Sequence, residues 1–257
     1  MDSDRVRQAA VVAATTVGIA VGLAGDYGSA NASGSTIIPA NYAFGIWAPI
    51  YAGSLAYAFH QARPGRRTDP LLRRIGWPSA IAYLTVGLWV HADSLWVYEG
   101  LIATSLAAAA VAYGRLGART PSTDASETWL VRVPLGLFTG WVTLAAAAGT
   151  TEGLLERGVR ELGLGAEPWG VLVLLAAGAV ATAVTVRIPA TSAYPAAVTW
   201  GLVASAIQHL PTTPATGATA GAMAALVAAT GAWRARGGDR RGPAPRRARA
   251  RAGAAPA

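Results

Sequence analysis

Long apolar stretches recur along the whole chain, and short segments with charge, proline or glycine separate them. A helix needs about 20 mostly apolar residues to cross a hydrocarbon core of about 30 Å. Stretches that approach this length, some of them short, occur at residues 8–25, 41–61, 73–91, 95–114, 129–149, 169–187, 192–209 and 214–233. The pattern therefore predicts an all-α fold, a polytopic transmembrane helical bundle of about eight spans.

The composition excludes a soluble globular protein. Of the 257 residues, 53% are hydrophobic and 13% are charged, whereas a typical soluble domain has about 25% charged residues. We therefore expect the lipid bilayer to be the main partner. The chain has no Cys, which excludes disulfide bonds, Cys-ligated zinc, iron–sulfur clusters and thiol catalysis.

Positive charge is concentrated in the last part of the chain. All 21 basic residues are Arg, and the net charge is +8. Residues 234–257 hold eight Arg and one Asp, which gives this segment +7 and leaves residues 1–233 near neutral. The segment has no apolar periodicity, so we predict a disordered, Arg-rich cytoplasmic tail. We expect it to attract anionic lipid, and we expect no nucleic acid partner.

The Arg positions also predict the orientation of the helices. If the eight stretches cross the membrane in turn, 19 of the 21 Arg fall on the side that holds both termini. Arg157 and Arg160 fall on the other side. The side with the excess of Arg is the cytoplasmic one. We therefore expect a multi-pass protein of the cell (plasma) membrane with both termini in the cytoplasm.

The first apolar stretch has a second interpretation. Arg5 and Arg7, the apolar run 10–24 and the segment Ala30-Asn31-Ala32 together look like a secretory signal peptide with its cleavage site. Cleavage would leave seven spans and would not change the side on which the tail lies.

Three of the nine Trp residues, Trp47, Trp141 and Trp200, lie inside predicted spans. The other six lie near span ends, as is typical of aromatic belts at a membrane interface. Phe44, Trp47 and Tyr51 have i, i+3, i+7 spacing and so share one face of a helix. Such aromatic residues either pack the bundle or line a ligand pocket, and the spacing leaves both interpretations open.

Residues 38–51, IPANYAFGIWAPIY, resemble the second-helix signature of the tryptophan-rich sensory protein family, also called TspO/MBR or translocator protein. Residues 133–142, VPLGLFTGWV, are similar to the family's fifth helix, and residues 72–89 are similar to the third helix of long bacterial members. The resemblance covers roughly residues 8–150. It implies three parts: a TspO/MBR-like five-helix membrane domain at 1–150, three additional transmembrane helices at 151–233, and the tail at 234–257.

The resemblance also implies a ligand pocket in the five-helix part. Its ligand would be a tetrapyrrole, haem or protoporphyrin, or a similar small hydrophobic aromatic molecule, and the protein would act as a sensor or carrier. Flat conjugated ligands gain from aromatic walls with polar edges, and Gly45 would let a ligand or a helix approach the backbone. Neither tetrapyrrole is expected as a required cofactor, and a homodimer is left open. The ligand-binding residues carried over from the family motifs are Tyr42, Phe44, Gly45, Trp47, Tyr51, Trp89 and Trp141.

No motif of a nucleotide site, a zinc protease or a nucleophilic hydrolase is present, so we predict no catalytic residue. His91, Asp93, Glu99 and His209 map to the outer ends of spans without the spacing of metal ligands, so we predict no metal site. Two other functions stay open. One is a secondary transporter, for which the sequence lacks an ionisable residue deep in a span. The other is a membrane assembly protein that docks through its basic tail.

Overall fold

The computed structural model describes residues 2–25, 35–118, 124–156, 158 and 163–239. Within these ranges the chain is helical and has no β-strand. The prediction of an all-α bundle is confirmed. The eight long helices are α1 (Ser3–Leu23), α2 (Trp47–Ala62), α3 (Pro70–Trp89), α4 (Leu95–Gly117), α5 (Val133–Glu156), α6 (Ala166–Arg187), α7 (Ala193–His209) and α8 (Pro214–Asp239).

Two of the α-helices are directly preceded by a short helix of another type. The 3-10 helix Asn41–Ile46 leads directly into α2, and the π-helix Thr128–Arg132 leads into α5. Each of the two α-helices has a proline in its first turn, Pro49 and Pro134. Proline has no N–H to donate to the preceding turn, so the backbone before it need not keep the α-helical hydrogen-bond pattern.

Five helices are long and apolar enough to cross a membrane by length and composition: α1, α4, the continuous helix Ala125–Leu155, α6 and Pro214–Gly237 within α8. The helices α2 and α7 have 16 and 17 residues, fewer than the about 20 that a full crossing needs. Helix α3 has 20 residues but carries two Arg near its start. The predicted stretch 41–61 is shorter as an α-helix because its first residues form the 3-10 helix.

The helices pack as one series of neighbours. Helix α1 packs on α3, α3 on α4, α4 on α5, α5 on α7, α7 on α8 and α8 on α6. Helix α2 lies against α1 and α5. The boundary predicted after residue 150 falls inside α5, and the contact between α5 and α7 crosses it. The division into five and three helices stays a prediction.

Glycine permits a close helix crossing between α1 and α3. A Cβ on Gly18 would collide with the backbone carbonyl of Tyr83, and a Cβ on Gly87 would collide with the backbone of Gly18. In lipid the association of helices depends on close packing, because the hydrocarbon is as apolar as the side chains. Helix α1 is therefore an integral part of the bundle in this structure.

The two ends of the bundle differ in charge. We call the end that holds Ser3 and Asp239 the termini end, and the end that holds Leu23 and the α3–α4 connection the cavity end. All Arg that the structure describes lie at the termini end, and the sequence predicted them on the side that holds both termini. They are Arg5, Arg7, Arg63, Arg66, Arg67, Arg73, Arg74, Arg115, Arg132, Arg187, Arg234 and Arg236. Arg157 and Arg160, predicted for the other end, lie outside the described residues.

Two of these Arg are buried, which the sequence pattern did not predict. Arg7 is 3% exposed, and its guanidinium donates to the carbonyl oxygen of Leu72 at 3.1 Å. Arg132 is also 3% exposed and pairs with Glu127, with Nη2 2.6 Å from Oε1. It donates as well to the carbonyl oxygen of Ala190 at 3.2 Å. These contacts attach α1 to α3, and the π-helix before α5 to the α6–α7 connection.

The predicted start of the disordered tail needs a correction. Helix α8 continues to Asp239, so residues 234–239 are helical. Ala and Arg favour helices, and the positive charge of Arg interacts well with the dipole at a helix C-terminus. The rest of the predicted tail, 240–257, lies outside the described residues, as does the predicted cleavage segment Ala30-Asn31-Ala32.

Candidate ligand-binding cavity

A cavity of about 310 Å³ lies between the helices at the cavity end. The course of the chain explains its position, because α2, α4 and α6 begin at this end and α3, α5 and α7 finish there. The loop at residues 37–39 and the 3-10 helix close part of it. Six helices therefore meet around the cavity, and two of them, α6 and α7, follow the five-helix part on which the family resemblance rested.

Three aromatic side chains form one wall of the cavity. The indole of Trp141 meets that of Trp47 at 86°, with ring centroids 6.3 Å apart, and it meets the ring of Phe44 at 87° and 5.8 Å. Trp47 and Trp141 are 6% and 3% exposed. Edge-to-face pairs of this kind hold aromatic rings in a defined geometry and stabilise the contact beyond the area that it buries.

A second aromatic pair lines the cavity where α3 ends and α4 begins. The rings of Trp89 and Tyr98 are 5.1 Å apart. Gly149 of α5 lies against both, since a Cβ there would be 2.9 Å from Cζ2 of Trp89 and 2.9 Å from Oη of Tyr98. Trp89 is 9% exposed, and its indole Nε1–H has no hydrogen-bond partner within the part of the chain that is described. The cavity wall therefore contains a buried donor.

Helix α7 holds the loop that borders the cavity. The hydroxyl of Ser205 donates to the carbonyl oxygen of Ile37 at 2.9 Å, and Nε2 of His209 lies 2.8 Å from the carbonyl oxygen of Ile38. Ile37, Ile38 and Ser205 all line the cavity. Two of the last three helices therefore contribute to the site directly: α6 and α7 supply wall residues, and α7 also fixes this loop.

Four of the seven predicted ligand-binding residues lie together in this cavity: Phe44, Trp47, Trp89 and Trp141. They come from the 3-10 helix, α2, α3 and α5, and the family motifs were the only signal in the sequence that joined them. Trp89 also fitted an interfacial belt by its position at a span end, but the structure buries it.

The other three predicted residues do not line the cavity in this structure. Tyr42 is 50% exposed and packs edge-on against Trp200, with centroids 5.7 Å apart. Gly45 is exposed, and a Cβ there would meet no atom within 4 Å, so no described neighbour makes the close approach that we expected. Tyr51 stacks on Trp47 at 5.1 Å, behind the wall. Ligand binding by all seven residues stays a prediction.

Carboxylates form the polar part of the site. Asp93 and Glu152 both line the cavity. Glu99 lies beside it, with one carboxylate oxygen accepting a hydrogen bond from the Thr150 hydroxyl at 2.7 Å and the other close to the lining residue Gly153. Sequence reasoning placed Asp93 and Glu99 at span ends and missed Glu152 and Tyr98. Helical periodicity starting from Trp141 would have placed Glu152 on the same face of α5.

Two of the three histidines, His91 and His209, contact backbone carbonyl groups. Nε2 of His91 lies 2.8 Å from the carbonyl oxygen of Val21 and so connects the ends of α1 and α3. His209 contacts the loop at Ile38, as described above. Among the described residues no group of three or more His, Cys, Asp or Glu is placed to hold a metal ion.

Comparison with known proteins gives the family. The family model with the description TSPO-like protein matches residues 9–233, which is most of the chain. The chain belongs to the TSPO-like protein family. The match runs through all eight helices of this TSPO-like protein and thus beyond the roughly 150 residues that carried the sequence resemblance. With its apolar helices, it is a membrane protein of a sensory or transport-related family. No curated protein and no solved structure matches the chain.

Proposed function

We propose that this TSPO-like protein binds a flat aromatic ligand in the cavity and acts as a sensor or carrier for it. The observation that carries the proposal is the convergence of Phe44, Trp47, Trp89 and Trp141 on one cavity. Apolar and aromatic walls with a few polar groups are the usual construction of a small-molecule site. Tetrapyrroles, haem or protoporphyrin, are the ligands that the family resemblance implies.

The size and lining of the cavity bear on the choice of ligand. Its volume of about 310 Å³ is at the lower end of the range of about 300–1,000 Å³ that small-molecule pockets cover. A small aromatic molecule would fit within this volume, whereas a tetrapyrrole would need more space. No His is among the described lining residues, so contacts with the ring would supply the affinity for haem.

A fluorescence titration tests this function. Trp47, Trp89 and Trp141 lie in the cavity, so protoporphyrin or a smaller aromatic ligand should quench the emission of the purified protein in lipid nanodiscs. The double variant Trp47→Phe, Trp141→Phe should lose most of the saturable quenching. Trp96→Phe is the control, because Trp96 is 84% exposed. Absence of saturable quenching by every ligand would contradict the proposal.

The orientation in the membrane is part of the proposal. The Arg-rich termini end would face the cytoplasm, by the positive-inside rule, and the cavity would open toward the outside of the cell membrane. The chain has no Cys, so single Cys residues can be introduced at exposed sites at each end, Thr68→Cys and Ser94→Cys. A membrane-impermeant maleimide should label Ser94→Cys on intact cells, and Thr68→Cys only after the cells are permeabilised. The reverse labelling would contradict this orientation.

A further inference from the structure

A groove of about 660 Å³ lies on the surface of the bundle, between α1 and the end of α2. It shares no lining residue with the ligand cavity. Seven of its eight lining residues belong to α1 and recur every three or four positions, so they lie on one side of that helix. The groove therefore follows α1 inward from the termini end. Its lining residues are Arg5, Gln8, Ala9, Val12, Ala13, Thr16, Val17 and Ala62.

The groove has about the length of one membrane leaflet. From Arg5 to Val17 it extends about 18 Å, at a rise of about 1.5 Å per residue. Half of a hydrocarbon core of about 30 Å is about 15 Å. Arg5 and Gln8 lie at the termini end of the groove, and apart from Thr16 its other lining residues are Ala and Val. A polar mouth that continues into an apolar floor fits the head group and acyl chain of a lipid.

Gln8 brings a second Arg to the mouth of the groove. It is 6% exposed, and its side-chain Nε2 donates to the carbonyl oxygens of Gln61 at 2.6 Å and of Arg63 at 3.3 Å. Nε2 of Gln61 donates in return to the carbonyl oxygen of Gln8 at 3.0 Å. The backbone of Arg63 is therefore held beside Gln8, which lies one helical turn from Arg5. Both Arg side chains are exposed.

These two Arg have no acidic partner among the described residues, because the acids at the termini end pair with other Arg. Each of the carboxylates concerned is within 4 Å of a guanidinium other than those of Arg5 and Arg63. The pairs are Asp2 with Arg67, Asp4 with Arg7 and Arg73, Asp69 and Asp124 with Arg66, and Glu127 with Arg132. The mouth of the groove therefore carries positive charge that the described residues do not neutralise.

The remaining residues of the chain supply no acid to this mouth. Residues 119–123 and 240–257 contain Arg but neither Asp nor Glu. Asp26 and Glu161, the two acids outside the described ranges, belong to connections between residues at the cavity end. Asp239 ends α8, which packs on α6 and α7. The anion that balances Arg5 and Arg63 therefore comes from outside the chain.

We propose that this groove binds one phospholipid with an anionic head group. Its phosphate lies between Arg5 and Arg63, and one acyl chain lies along Val12, Ala13 and Val17. Guanidinium groups bind phosphate through paired hydrogen bonds, and the cytoplasmic leaflet, in which the proposed orientation places this end, is the one that is rich in anionic lipid. Such a lipid contacts both α1 and α2 and so helps to hold α1 in the bundle. The inference does not depend on ligand binding in the cavity.

The test places a fluorophore beside the groove and a quencher on the lipid. The chain has no Cys, so Phe59→Cys gives one labelling site at an exposed position one turn before Ala62. The labelled full-length protein is placed in phosphatidylcholine nanodiscs that contain a small fraction of phosphatidylglycerol or phosphatidylcholine with brominated acyl chains. We expect brominated phosphatidylglycerol to associate about tenfold more strongly, a difference of about 1.4 kcal/mol. A label at Val180→Cys, exposed on α6, should be quenched equally by both lipids.

Variants of the charged mouth assign the preference to named residues. Arg5→Gln and Arg63→Gln should each reduce it, and the double variant should remove it. Arg187→Gln is the matched control, because it removes the same charge from an exposed position at the same end, on α6, and should leave the preference unchanged.

A second pair of variants tests the apolar floor. Ala13→Phe fills the groove and leaves both Arg in place, so it should also remove the preference. Its control is Ala20→Phe, at an exposed position of α1 that is not among the groove's lining residues, which should leave the preference unchanged.

Three results would overturn the proposal. The first is equal quenching by the two brominated lipids at Phe59→Cys. The second is an equal loss of preference in Arg5→Gln and Arg187→Gln, which would mean that the charged end attracts anionic lipid without a site. The third is quenching by neither lipid together with a dimer that Ala13→Phe dissociates, which would assign the groove to a second copy of the chain. None of these results changes the quenching of Trp47 and Trp141 by a ligand in the cavity, so the proposed function is tested separately.

Discussion

The indole rings of Trp47 and Trp141 meet edge to face, with centroids 6.3 Å apart and an angle of 86° between their planes. One residue opens α2 and the other lies in the first half of α5. The contact therefore joins two helices at the cavity and sets the spacing of its aromatic wall. The same contact packs two helices and forms part of the wall of the proposed ligand site, so packing and binding have to be measured separately.

A double-mutant cycle measures the packing part of this contact. Trp47→Ala, Trp141→Ala and the double variant should show a coupling of about 0.5–1.5 kcal/mol in the free energy of unfolding. The companion cycle of Trp96→Ala with Trp141→Ala should show none, because Trp96 is 84% exposed. Equal coupling in both cycles would contradict a direct contact between Trp47 and Trp141.

The crossing of α1 and α3 depends on the absence of a side chain at Gly18. Gly18→Ala places a Cβ against the carbonyl of Tyr83, and overpacking of this kind costs about 1–3 kcal/mol. Gly100→Ala is the matched control, since a Cβ there meets no atom within 4 Å and Ala is preferred to Gly in a helix by about 0.5–1 kcal/mol. Thermal unfolding followed by circular dichroism should show a lower midpoint for the first variant and an unchanged or higher midpoint for the second.

Gly149 determines how much space is left beside Trp89 and Tyr98. Gly149→Val would place methyl groups where a Cβ is already 2.9 Å from both side chains, so the aromatic pair must move and narrow the cavity. We expect about tenfold weaker binding of protoporphyrin or of a smaller aromatic ligand, equivalent to about 1.4 kcal/mol. Gly114→Val, at an open position on α4, should bind as the unchanged protein does. Unchanged affinity in Gly149→Val would indicate that ligands do not occupy this part of the cavity.

The loop at residues 37–39 should become more mobile when its bonds to α7 are removed. Ser205→Ala with His209→Ala removes contacts of 2.9 and 2.8 Å to the loop carbonyls, each worth about 0.5–1.5 kcal/mol. Hydrogen exchange of the loop amides should accelerate, while exchange in α3 should not change. Thr219→Ala is the control, because that hydroxyl donates to the carbonyl oxygen of Ala215 within its own helix. Equal protection in the double variant would show that the loop is held by other contacts.

The buried pair of Arg132 and Glu127 should be essential for stability. Glu127→Gln leaves the guanidinium, which is 3% exposed, without its carboxylate, and such a loss costs about 3–5 kcal/mol. The double variant Glu127→Gln, Arg132→Met should recover much of the lost stability, because it no longer contains the unpaired buried charge. Asp124→Asn, which breaks a solvent-exposed pair with Arg66, should change the unfolding free energy little. A mild effect of Glu127→Gln, no larger than that of Asp124→Asn, would contradict the burial of this pair.

Sequence patterns were sufficient for the features that depend on local composition. Apolar stretches between charged and proline-containing segments identified all eight helices, because helix formation in a membrane depends mainly on length and hydropathy. The order of these eight stretches also predicted the end of the bundle at which each described Arg lies. The predicted start of the tail at residue 234 was too early, because helix α8 continues past the last apolar residue to Asp239. The 3-10 start of α2 shortened one span for the local reason that Pro49 cannot donate a hydrogen bond.

The site was determined only in part by the sequence. The motifs identified Phe44, Trp47, Trp89 and Trp141, but they could not show that Tyr42, Gly45 and Tyr51 point elsewhere, because helix rotation depends on neighbours far away in the chain.

The aromatic and helical character of the protein was thus determined by the sequence alone. Tertiary structure decided which ends meet: it brought Glu152 of α5 into the same cavity lining as Asp93, and α7 against the loop before α2. These contacts depend on long-range packing, in which glycines such as Gly149 leave room for Trp89 and Tyr98. For that reason the aromatic wall could be predicted, whereas the meeting of the carboxylates of Asp93 and Glu152 at one cavity appeared only in the folded bundle.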